Sequence, residues 1–180
     1  MTFKRNISII GGAGHVGFPL GLILSSKGFK VSLIDKDKTS IKKINKGQIP
    51  FLEENSKKLL GSMIKKKRIH ATNKLNEVVK SKYIVVCIGT PITTQLNPSL
   101  KAFISFFYQL KKLIKKNQIV IIRSSIYPGI CDQIYKIIKK NCKNLSYCPE
   151  RIVQGKSILE LPKLPQLVSG KSKKAILESG

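Results

Sequence analysis

The sequence predicts an α/β protein built on a doubly wound parallel sheet. Three observations carry this. Asn6 to Gly17 reads NISIIGGAGHVG, an apolar run that breaks into Gly12-Ala13-Gly14-His15-Val16-Gly17 and then into an apolar helical pattern. That is the order strand, glycine turn, helix start. A second apolar stretch, Lys30-Val31-Ser32-Leu33-Ile34, ends in Asp35, 18 residues after Gly17. Further short apolar runs then alternate with helical patterns along the chain, as a parallel sheet covered on both faces requires.

In the glycine turn, Gly12 is expected to permit the sharp bend, Gly14 to let the backbone approach a pyrophosphate, and Gly17 to let helix and strand pack closely. The free N–H groups at the start of the first helix, roughly Val16 to Lys27, would face phosphates. An acid at the tip of the second strand accepts hydrogen bonds from ribose hydroxyls and repels a 2′-phosphate, so Asp35 favours NAD over NADP. Lys36 and Lys38 leave room for a phosphate and keep that alternative open.

Lys38 to Asn45 reads as a short helix closed by Gly47, and a lysine-rich helix runs to about Lys67 after the stretch Gln48 to Glu54. Ile69 to Thr72 is a third strand, with Asn73 placed to cap a helix through Lys80. Tyr83 to Ile88 is a continuous apolar strand that contains Cys87, a small core residue, and ends in Gly89-Thr90-Pro91. Leu100, Phe103, Ile104, Phe107, Leu110, Leu113 and Ile114 follow helical spacing. Ile119 to Ile122 forms the fifth strand, and Ile130, Ile134, Ile137 and Ile138 mark another amphipathic helix. Leu145 to Cys148 is the sixth strand, ending in Pro149-Glu150-Arg151. Gly12, Asp35, Thr90, Ser125 and Glu150 all fall at carboxyl ends of strands, the ligand edge of such a sheet.

Bulk properties narrow the function classes. At 180 residues and 42% apolar content the chain forms one domain with a real core. Thirty-four basic residues against nine acidic give a net charge of +25. Nearly all the basic residues are lysines on polar helix faces, without aromatic platforms for stacking bases, so a solvated basic surface is expected and nucleic acid is not. Cys87, Cys131, Cys142 and Cys148 form no C-x-x-C pair and no metal-ligand spacing with His15 or His70. No secretory signal and no apolar run near the ~20 residues of a membrane span are visible, so a cytoplasmic setting is expected.

Five stretches, GGAGHVGFPLGLILSSKGFKVSLIDKD, GQIPFLEE, CIGTPITTQLNPSL, IIRSSIYPGICD and YCPERIVQGKSILELPKLPQLVSG, occur in this order. Together they resemble the N-terminal, Rossmann-type NAD-binding domain of the UDP-glucose/GDP-mannose dehydrogenase family. GQIPFLEE and PERIVQGK look closer to the UDP-N-acetylhexosamine branch than to UDP-glucose enzymes. The resemblance covers essentially the whole chain. It implies oxidation of the C6 alcohol of a nucleotide sugar to a carboxylate, with two NAD taking two hydrides.

Carried over by position, the resemblance implies that Gly12, Ala13, Gly14, His15, Val16, Gly17, Asp35 and Lys36 hold NAD, with Thr90 and Ser125 beside it. Ser125 stands where the family usually has a threonine whose hydroxyl positions the water or substrate oxygen. Glu150 and Arg151 match the P-E-R element lining the substrate site, and Glu150 joins Ser125 as a catalytic candidate. Two departures stand out. Gln154 replaces a glutamate found in many relatives, and glutamine is no base at neutral pH. The family's nucleophilic cysteine, its dimerisation segment and its UDP-binding domain belong to later segments than residues 1–180. Cys148 lies nearest the site but reads as a buried strand residue without an activating neighbour. The isolated chain is therefore expected to bind NAD without completing the reaction, to expose an apolar patch where the dimer-forming helix docks, and to be homo-oligomeric only in a full-length enzyme. A stand-alone NAD-binding module and a polyanion-binding protein on the same scaffold are the competing readings.

Overall fold

Strands β1 (Asn6–Ile10), β4 (Tyr83–Val86) and β5 (Ile119–Ile122) form the centre of the sheet because they carry apolar residues towards both faces. The computed structural model describes residues 5–89, 100–152 and 155–180. With β2 (Lys30–Ile34), β3 (Ile69–Thr72), β6 (Leu145–Tyr147) and β7 (Ser169–Gly170), the order across the sheet is β3-β2-β1-β4-β5-β6-β7. The first six strands are parallel, and β7 is antiparallel to β6. The reversal between β1 and β4 opens the crevice at the carboxyl ends where ligands of this fold lie.

The period-two alternation of the strands divides the core in two. Ile7, Ile9, Val85 and Ile121 face helices α1 (Gly17–Ser26), α2 (Lys38–Asn45) and α3 (Ser56–Lys65), meeting Phe18, Leu22, Ile44 and Leu60. Ile10, Ile84, Val86, Val120 and Ile122 face α4 (Leu100–Lys111) and α5 (Ile130–Ile138), meeting Phe103, Phe107 and Ile134. Helix α2 starts at the extended residue Asp37, whose carboxylate accepts the Thr39 and Ser40 N–H groups. These bonds, led by the one from the Ser40 hydroxyl, hold the Asp37 carboxyl below its ordinary value.

The structure corrects three expectations. Leu75–Lys80 is a 3-10 helix rather than an Asn73-capped α-helix, because Lys74 is still extended and no side chain caps the turn. Only Val78 is buried there, so little packing favours a longer helix. The sheet has a seventh, two-residue strand in place of an expected end at the sixth. Two further helices follow the sixth strand, α6 (Ser157–Glu160) and α7 (Lys173–Ser179), the latter capped by the Ser172 hydroxyl accepting from Ala175 N at 3.1 Å. Among the described residues, no helix is long and apolar enough to cross a membrane. Large exposed apolar side chains gather late in the chain, at Leu159, Leu164, Leu167, Ile176 and Leu177.

Candidate dinucleotide and substrate site

The glycine loop leaves β1 at Gly11, which carries a left-handed backbone (φ +76°), one residue before Gly12, where the sharp bend is expected from the sequence. A Cβ on Gly11 would lie 2.5 Å from the Cys87 carbonyl oxygen, so the loop passes directly over the end of β4. Gly12 has no such dihedral. It is confined by space instead, with Leu33 Cα and Ile9 O each 2.7 Å from where its Cβ would sit. Gly17 is held tightest, because its Cβ would meet Gly11 O at 2.3 Å. It brings the first turn of α1 against the loop itself rather than against the strand.

Gly14 differs from these three. Its nearest obstacle is Gly11 O at 3.4 Å, an ordinary contact, and its backbone is not left-handed. Among the described residues nothing demands a glycine there, and Gly14 lines an open cleft of about 520 Å³. The missing side chain clears space on the ligand side. Among the described residues, the N–H groups of His15 and Val16 have no acceptor, while Phe18 N already reaches Gly14 O at 3.0 Å. Unpaired amides at the start of a ten-residue helix suit a phosphate.

The tip of β2 is tied to this loop. Asp35 Oδ2 accepts the Ala13 N–H at 2.9 Å, and Oδ1 accepts the Asp37 N–H at 3.1 Å. The half-buried carboxylate keeps lone pairs towards the cleft, which Lys36 also lines. Ile10, Ile34, Leu75, Ile88 and Phe106 supply apolar walls. An apolar slot with a carboxylate at its rim and free amides beside it fits an adenosine diphosphate moiety. His15 is exposed, and its ring lies 3.9 Å from that of Phe51, which meets Phe18 edge-on at 5.6 Å.

The other half of the site sits at the ends of β5 and β6. Ser125, exposed, follows Arg123 and Ser124 out of β5, and Glu150 and Arg151 follow β6. The buried Arg123 guanidinium donates to Glu150 Oε2 through Nη2 and to Gln166 Oε1 at 2.8 Å through Nη1. Glu150 Oε1 accepts the N–H groups of Arg151 at 2.8 Å and Ile152 at 3.2 Å. Arg151 is exposed and donates to the Pro165 carbonyl. Thr90 and Gln154 lie outside the described residues.

A second link joins the two halves. The buried carboxylate of Glu53 accepts the Ser157 hydroxyl at 3.2 Å and the Ile158 N–H at 3.1 Å, and Glu54 N donates to Gly155 O at 3.1 Å. The stretch that touches the glycine loop through Phe51 thus also holds the segment following Pro149-Glu150-Arg151.

Neither cysteine near the edge is an activated nucleophile. Burial pushes the Cys87 thiol up to about 12, outweighing the opposing pull of Arg123. Burial likewise raises the Cys148 thiol, outweighing the lowering by Ser146 and Arg123. Sequence reasoning singled out neither Gly11, Glu53, Arg123 nor Gln166. Only Arg123 carried a signal, as one of four arginines among many lysines and two residues before Ser125.

Comparison with known proteins agrees with this architecture. The chain is 29% identical over 170 residues to a UDP-N-acetyl-D-mannosamine dehydrogenase of Methanococcus aeolicus, covering 91% of this chain and 38% of that one. It is 27% identical over 172 residues to a UDP-glucose 6-dehydrogenase of Rickettsia felis, covering 94% and 38%. The chain thus spans about two fifths of the length of the curated relatives it matches. The fold superposes on the structure of a UDP-N-acetyl-D-mannosamine dehydrogenase from Pyrococcus horikoshii with a TM-score of 0.87 at 22% identity, over 97% of this chain and 43% of that one. The model of the UDP-glucose/GDP-mannose dehydrogenase family, NAD binding domain, matches residues 5–179, and the chain belongs to that family.

Proposed function

We propose that this chain is the NAD-binding part of a nucleotide-sugar 6-dehydrogenase that oxidises the C6 alcohol of a UDP-sugar, of the UDP-N-acetylhexosamine or UDP-glucose type, to the uronic acid. The observation that carries the reading is the pairing of Gly14, a glycine that no contact among the described residues requires, with Asp35 stapled across the loop to Ala13. Asp35 takes the adenosine ribose hydroxyls, and the loop from Gly12 to Gly17 takes the pyrophosphate. Lys36 lines the same cleft beside Asp35, and by its place in the motif Thr90 is assigned to the cofactor's ribose and phosphates and Ser125 to the cofactor as well. Bound NAD supplies the hydride acceptor.

On the substrate side, Ser125 holds the reacting oxygen by its hydroxyl, Glu150 provides a fixed carboxylate, and Arg151 offers a cation to the nucleotide sugar. Covalent catalysis needs an ionised nucleophile, and the high thiols of Cys87 and Cys148 do not supply one. We assign that step to a cysteine outside residues 1–180, together with the dimer contacts and the UDP-binding domain. The Methanococcus aeolicus relative supports the UDP-N-acetylhexosamine type, and the Rickettsia felis relative the UDP-glucose type. Such an enzyme would serve polysaccharide precursor synthesis in the cytoplasm, as a homo-oligomer in its full-length form.

Titrating the chain with NADH and NADPH, followed by nucleotide fluorescence, tests the reading. NADH binding at least tenfold tighter than NADPH is expected, with no NADH formed from NAD and UDP-sugars. Absence of NADH binding would overturn the cofactor assignment, and steady turnover would overturn the assignment of the nucleophile.

A further inference from the structure

Arg123 has no part in the reading above, yet it is a buried cation whose two terminal guanidinium nitrogens are both engaged. It leaves β5 two residues before Ser125, and its side chain is only 8% exposed. One guanidinium nitrogen donates to Glu150 Oε2 and the other to Gln166 Oε1 at 2.8 Å. Gln166 is fixed in turn, its amide donating to Leu167 O at 2.9 Å and Pro149 O at 3.3 Å. The planar fork of arginine suits this double engagement, which a lysine ammonium on a flexible stem cannot reproduce.

The same carboxylate receives two amides of its own turn, Arg151 N and Ile152 N. Those bonds fix Glu150 relative to its own backbone but not relative to β5. Among the described residues, the contact from Arg123 ties the Glu150 side chain to the strand presenting Ser125, beyond the backbone bond from Cys148 N to Ile122 O at 2.8 Å. Arg123 directly follows the last β5–β6 pair, Ile122 with Tyr147, so its side chain leaves β5 where the two strands end.

We propose that Arg123 is a positioning residue, which sets the direction of the Glu150 carboxylate and so fixes its place relative to the Ser125 turn. A passive buried ion pair would tie the same elements together without ordering the turn around Glu150. The proposal rests on the dehydrogenase reading only for the statement that Glu150 faces substrate.

The test uses the 15N-labelled 180-residue chain, comparing Arg123→Met and Arg123→Lys with the parent by backbone order parameters, and measuring NADH binding on the same samples. In the parent, Arg151 and Ile152 are expected near the rigid value of about 0.85. In R123M both are expected to fall below about 0.6, the flexible range, while Val85 and Val120 in the strands and the NADH affinity stay at parent values. R123K is expected to fall partway, because one ammonium cannot hold Glu150 and Gln166 together. Parent values at Arg151 and Ile152 in a folded R123M overturn the proposal. If R123M does not fold, R123K decides: partial loss supports the proposal and parent values overturn it. Loss of NADH binding in the parent would strike the dehydrogenase reading and leave this test standing.

Discussion

The Asp35 carboxylate bridges two backbone segments, taking the Ala13 N–H at 2.9 Å and the Asp37 N–H at 3.1 Å. The glycine loop and the start of α2 are thereby held by one side chain, and the acid has a structural task beside its ligand one. Because a carboxylate oxygen accepts more than one hydrogen bond, the two tasks are compatible.

Asp35→Ala removes both. The Ala13 N–H loses its acceptor, the loop keeps only its backbone ties to β2 (Gly11 N and Gly12 N to Ile34 O), and the ribose loses its partner. NADH affinity is expected to drop at least tenfold, about 1.4 kcal/mol, in a fluorescence titration. Asp35→Asn keeps one carbonyl oxygen and should fall between the two. An unchanged affinity in D35A would show that Asp35 only supports the loop.

Cys87 offers a second check. With its thiol pushed up to about 12 from an ordinary 9.0, roughly one molecule in 10⁴ carries the thiolate at pH 8, and the thiolate is the nucleophile. Native chain treated with iodoacetamide at pH 8 should therefore leave the buried Cys142 and Cys148 unmodified, and of the two half-buried thiols Cys131 should react well before Cys87, whose thiol is pushed up further. Denaturant should make all four react. Since the folded thiol is raised, its contribution to stability is complete below the unfolded value near 9 and is lost as pH rises towards 12. Denaturation midpoints should accordingly decline above pH 9. Labelling of Cys87 as fast as that of Cys131 in a mass spectrum would contradict the raised Cys87 thiol.

What was legible in the sequence was whatever repeats at short range. The strands announced themselves as apolar runs and α5 as isoleucines at helical spacing, and the glycine loop needed only local order. The pair Ser169–Gly170 could not be read, because two antiparallel residues make no period. The contacts that organise the candidate site were equally hidden. Arg123 and Glu150 are 27 residues apart, and Glu53 and Ser157 are 104 apart. Their meeting depends on the strand order, which joins β5 to β6 and brings the stretch before α3 under α6. That Gly11 as well as Gly12 must be glycine was hidden too, because its neighbour is the Cys87 carbonyl just beyond β4, far away in sequence.

Gly14 and Gly17, three residues apart, should respond to alanine in opposite ways. A methyl group on Gly17 would sit 2.3 Å from Gly11 O and 2.9 Å from Gly12 Cα, both backbone atoms that cannot swing aside. Overpacking of this kind costs about 1–3 kcal/mol, so Gly17→Ala should lower the melting temperature by several degrees and weaken NADH binding as the loop shifts. A methyl group on Gly14 meets only Gly11 O at 3.4 Å. Gly14→Ala should melt with the parent, since alanine even lowers the entropy of the unfolded chain, and should lose NADH affinity at least tenfold because the methyl occupies the space left for the pyrophosphate. Melting curves and NADH titrations of the two variants separate the readings. A G14A chain that binds NADH as the parent does would place the dinucleotide away from this loop. A G17A chain that melts with the parent would mean that the loop has room the structure does not show.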